Sequence, residues 1–154
     1  MQDLSRFSFG ATSAVTSSLA LMIGLNQLDV SRMGLIGALL VIGLADNLAD
    51  ALGIHVYSES KSKAHTKLNT ATNYLTRLGI TLLLVVFVIF LPLTYAILAS
   101  IIVGMLVIAV LSFFIAKEHG LNAPRAVVEH LAVAALVLVV SQLVGSAIHA
   151  LFHG

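Results

Sequence analysis

The sequence predicts an all-α membrane protein with five transmembrane helices, and three observations predict it. Of its 154 residues, 59% are hydrophobic and only 10% charged, with a mean hydropathy of +1.05, a composition that excludes an ordinary soluble domain. The apolar residues gather into five runs, each long enough to cross about 30 Å of hydrocarbon. Polar or proline-bearing stretches separate the runs, so residues 1–154 read as a single membrane domain.

The first predicted helix, Phe7 to Leu25, is crowded with Ser and Thr. Thr12, Ser13, Thr16 and Ser17 recur at three- and four-residue spacing beside Gly10 and Ala14, so this face packs on another helix or lines a polar path. Asp3, Arg6 and this long run are unlike a cleaved signal sequence, and the run reads as a retained span. After a turn at 26–32, the second helix runs from Met33 to about Tyr57. A polar loop follows from Ser58 to Asn73, placed in the cytoplasm, and the third helix covers about Tyr74 to Leu91, with Arg77 near enough to its start to snorkel. Pro92 sets a tight turn. The fourth helix spans about Thr94 to Ala116, and after KEHGLNAPR the fifth covers Ala126 to about Phe152, opened by Pro124.

Counting basic residues by side places Arg6, Lys61, Lys63, Lys67, Arg77, Lys117 and Arg125 together, against Arg32 alone. The positive-inside rule then gives a cytoplasmic N-terminus and an exterior C-terminus, and the expected location is a prokaryotic inner membrane. A bundle this small has little interior, so a homodimer is expected to shield its polar faces from lipid.

The chemistry concentrates in GLADNLADALGIHVYSE, residues 43–59. An Asp at the centre of a spanning helix costs roughly 2.5 to 3.5 kcal/mol, and here there are two. Asp46 and Asp50 lie about 40° apart on an α-helix and Tyr57 within about 20° of Asp46, with Asn47 and His55 flanking the stripe. Stacked acids at membrane depth point to a cation or a proton. Structural glue, with the acids hydrogen-bonded to first-helix hydroxyls or to their dimer mates, is the plainer alternative. His55 and Glu59, four apart, have metal-ligand spacing but are equally an interfacial pair. Tyr57 reads as an interface anchor and Met22 and Met105 as packing. Glu129 and His130 sit at a helix entrance, where the dipole favours an acid, and His149 and His153 at the opposite membrane edge.

Cysteine is absent, which excludes disulfides, thiolate nucleophiles and Cys-type zinc sites. A net charge of +1 without basic runs gives no basis for a nucleic-acid partner. Two membrane aspartates on one helix, with no GxGD pattern, are not the facing pair an aspartyl protease needs, and an enzyme is not expected.

FGATSAVTSSLALMIGL resembles the FGxNDGxVTxxxLxxG of the vacuolar iron transporter family, IGALLVIGLADNLADALG resembles its second-helix pattern ending in SMAxGEY, and SQLVGSAIHALF its glycine-bearing last span. The resemblance implies five spans per protomer, a homodimer with the ion path between subunits, and proton-coupled export of Fe2+ or Mn2+, with no bound cofactor. The chain departs from that pattern. Ser13 stands where the family has its first-helix Asp, Asp50 where it has a Met, and Ile54, next to His55, where it has a Glu. The family's cytoplasmic metal-binding insertion shrinks to roughly the fifteen residues from Ser58. The expected metal-site residues are Asp46, Asp50, Asn47, His55 and Glu59, with Thr12, Ser13, Thr16 and Tyr57 lining the pore. The alternative is a non-transporting membrane scaffold or partner subunit that kept the fold.

Overall fold

The computed structural model describes the backbone of residues 2–61 and 66–153 and the side chains of 7–53, 55–56 and 70–152. The described chain is helical apart from short turns: α1 (Gln2–Asn26), α2 (Arg32–Val41), a π-helical turn (Ile42–Asp46), α3 (Asn47–Lys61), α4 (Thr66–Phe90), α5 (Leu93–Glu118) and α6 (Ala123–His153). Five stretches are long and apolar enough to cross a membrane: Phe7–Asn26, Arg32–Gly53, Thr70–Phe90, Leu93–Glu118 and Ala123–Phe152.

Several boundaries differ from the sequence reading. The loop expected over 58–73 is helical through Lys61 and again from Thr66, because Ser, Lys and Asn lower the hydropathy of a segment without breaking a helical backbone. The tight turn at Pro92 is where proline predicted it, Pro92 capping α5 with an extended backbone. Ser31 caps α2, its hydroxyl accepting from the Gly34 N–H at 3.1 Å. Gly120, at φ 67°, closes α5, and Asn122 accepts from the Arg125 N–H at 3.1 Å to open α6.

α1, the most hydroxylated span, is the hub, packing on α4, α5, α6 and α2. Three glycines bring the backbones close. A Cβ on Gly10 would lie 2.7 Å from Asn73 Oδ1 in α4, one on Gly104 2.8 Å from Leu19 and Val15, and one on Gly145 2.5 Å from the Gly24 carbonyl oxygen. The core holds Val15, Leu19, Met22, Leu35, Leu39, Leu84 and Val88. At the end of α6, Ser146 donates to Gln27 Oε1 and His149 lies 3.2 Å from Asp29, which takes a left-handed turn conformation. Gly145→Ala is therefore expected to cost about 1–3 kcal/mol, since backbone must move, whereas Gly79→Ala, whose Cβ meets nothing within 4 Å, is expected to be neutral or to stabilise by up to about 1 kcal/mol. Unfolding titrations in mixed micelles measure both.

Candidate functional site

The second span buries Leu35, Leu39, Gly43, Asn47 and Ala51 at intervals of four. On an ideal α-helix each such step drifts by about 40°, and the π turn at Ile42–Asp46 offsets about 100° of the total, one residue's rotation. Asn47 is thereby turned fully inward, at 0% exposure, and the acids flank it at 54% for Asp46 and 45% for Asp50. This inverts the expected order, in which the acids formed the stripe and Asn47 its margin. The Asn47 backbone N–H reaches the carbonyls of Ile42 and Leu44, and its side-chain Nδ2 donates to the Gly43 carbonyl at 3.0 Å.

The acids and Asn47 converge on Arg77 of α4, which is 1% exposed. Its Nε donates to Asn47 Oδ1 at 2.6 Å, and its Nη1 donates to Ser13 Oγ at 2.6 Å and to Asp50 Oδ2 at 2.6 Å. Its Nη2 lies 3.5 Å from Asp46 Oδ2. The expectation that Arg77 snorkels is therefore wrong. Eight residues into its span, the guanidinium finds a fork of carboxylate, amide and hydroxyl oxygens, and a planar five-donor group suits such a fork. Gly43 lets α4 approach, since a Cβ there would sit 3.1 Å from Thr81 Cγ2. Thr81, one turn after Arg77, donates to the Arg77 carbonyl and lies 3.4 Å from Ser18 of α1. One turn before Arg77, the buried Asn73 amide packs on Gly10 and has no hydrogen-bond partner among the described residues.

Of the expected site residues, Asp46, Asn47 and Asp50 are brought together, and Ser13 joins them from α1. His55 lies farther along α3, and no group of three or more His, Asp or Glu placed to hold a metal occurs among the described residues. The side chains of Tyr57 and Glu59 lie outside the described residues. Thr12 and Thr16 line a separate cavity of about 440 Å³ between α1, α5 and α6, and Ser13 touches both the cavity and Arg77. Ser112 and His130, 2.8 Å apart, face the same cavity. No pairing of Arg77 was legible beforehand, because a basic residue near a helix start is normally interfacial, nor was that of His130 with Ser112, which lie on different helices.

Chemically, the cluster is two carboxylates held unequally by one fixed cation. Asp50 is in direct contact with the guanidinium. Asp46 is held at longer range and is the more exposed of the two. In formal charges the cluster sets two carboxylates against one guanidinium. No protein-family model, curated protein or solved structure matches this chain.

Proposed function

We propose that this chain is a membrane transporter that moves a divalent cation, Fe2+ or Mn2+, out of the cytoplasm in exchange for protons. It works as a homodimer in a prokaryotic inner membrane, with the N-terminus inside. The observation that carries the reading is the half-exposed pair Asp46 and Asp50 within an apolar span, only partly neutralised by Arg77. Charge arithmetic favours the dimer. With both acids ionised, two aspartates and one arginine sum to −1 in each copy, so two copies meeting across this face present −2 once the protons have left, which one divalent ion neutralises. Exposed small residues beside the acids, Ala45, Ala49 and Gly53, suit the close approach of a second helix. Asp46 is the exchangeable group, giving up a proton as the ion arrives, and Asp50 stays on Arg77. The resemblance to the vacuolar iron transporter family, carried by the three motifs alone, belongs to this reading, and Ser13, where that family places an Asp, here serves Arg77.

One observation favours a second reading, a non-transporting scaffold or partner subunit: the positive charge that answers the two acids is the chain's own Arg77, with four oxygen contacts. Vesicles reconstituted with the protein and loaded with a metal-sensitive dye separate the two. Transport predicts metal entry with opposite proton movement for the wild type and none for Asp46→Asn/Asp50→Asn. Equal entry through both proteins overturns this site, and no entry through either, with a weakened fold in the variant, is the scaffold result.

A further inference from the structure

Arg77 is held from two sides by groups of different charge. Toward the interior, Nε donates to Asn47 Oδ1 and Nη1 to Ser13 Oγ, each at 2.6 Å, and Asn47 is fully buried. On the outer side stand Asp50, at 2.6 Å, and Asp46, at 3.5 Å, both half-exposed. The two neutral oxygens tether the guanidinium by contacts separate from those to the carboxylates. Both acids face it through Oδ2. A metal ion about 2.1 Å from either of those oxygens lies within about 6 Å of the guanidinium, close enough for two positive charges to oppose each other strongly in an apolar span. Arg77 and a bound ion therefore draw on the same carboxylates.

From this we infer that Arg77 is a tethered competitor of the transported cation: it yields Asp46, its longest contact, to an arriving divalent ion and keeps the affinity low enough for release. The inference rests on the transport reading and adds a residue that sets affinity without binding the ion. A transport site needs such a limit, because it must hold its ion strongly enough to take it up and weakly enough to let it go. Two carboxylates per copy without a fixed cation make a strong divalent site, and one arginine in each copy offsets half of that formal charge.

The test is equilibrium binding of Mn2+ to the protein in lipid nanodiscs, with free Mn2+ read from its paramagnetic resonance and empty nanodiscs as the background. Saturable binding by the wild type is expected. Arg77→Gln is expected to bind Mn2+ about tenfold more tightly or better, since a unit charge within reach of the ion is lost. Arg77→Lys, which keeps the charge and loses the planar fork, is expected to tighten binding far less. Asn47→Asp serves if Arg77→Gln fails to fold: it keeps an oxygen toward Nε, gives the guanidinium a carboxylate of its own, and is likewise expected to tighten binding. An arginine that only staples the helices predicts the opposite sign, because acids no longer held together bind an ion less well. Unchanged or weaker binding by a folded variant, or equal tightening by Arg77→Lys, overturns the inference while a wild type that binds leaves the transport reading standing. No saturable binding by the wild type overturns both.

Discussion

Arg77→Leu is expected to cost about 3–5 kcal/mol of stability, the range for removing one partner from a buried ion pair. The substitution deletes the cation from a cluster whose other members remain: Asp50 loses a 2.6 Å contact, Asn47 and Ser13 each lose a donor, and Asp46 loses the guanidinium 3.5 Å away. Two carboxylates then sit in an apolar span with no counter-ion among the described residues. The companion experiment removes the acids as well. Arg77→Leu/Asp46→Asn/Asp50→Leu is expected to recover much of the loss, because an apolar replacement of a whole buried ion pair is often neutral or better. Unfolding by denaturing detergent, followed by circular dichroism, measures both proteins. An Arg77→Leu protein within about 1 kcal/mol of wild type would mean that the cluster does not hold α4 to the second span.

Asp46→Asn is expected to abolish exchange, lowering flux by about 100-fold or more, while leaving the fold within about 1 kcal/mol of wild type. Asp50→Asn is expected to do the reverse in part, costing about 1.5–3 kcal/mol because Arg77 loses its shortest charged contact. The asymmetry follows from distance and exposure: Asp46 stands 3.5 Å from Nη2 on the outer side, and Asp50 stands at 2.6 Å. Parallel measurement of flux in vesicles and of unfolding in micelles gives two numbers for each variant. Equal flux loss with equal destabilisation would show the two acids acting as one structural unit, with no division of labour.

Much of this architecture was legible in the sequence, because five apolar runs separated by Pro92, Pro124 and polar segments leave few alternatives. The hydroxyl face of the first span was legible as a packing face, and Asp46, Asp50 and Asn47 as one polar side. What could not be read was rotation and partnership. A strict 100° per residue places Asp46 on the stripe, and the π turn that turns Asn47 inward has no sequence signature beyond Gly43 and its neighbours. Arg77 was misread for a related reason. Hydropathy reports how far a residue lies from a span's end, and it carries no information on whether oxygens from two other helices wait at that depth. The end of the second helix was misplaced because hydropathy falls where Ser, Glu and Lys begin, and such residues can continue a helix.

The central position of α1 has a consequence for biogenesis. Translation makes this span before α4, α5 and α6, which cover it. Until they arrive, a nascent chain must keep a serine- and threonine-rich segment in the bilayer without its permanent neighbours, while Asp46 and Asp50 follow before Arg77 has been translated. Truncation before α4 is therefore expected to yield a chain that is extracted or degraded, since it removes the helices that cover α1 and the arginine that answers the two acids.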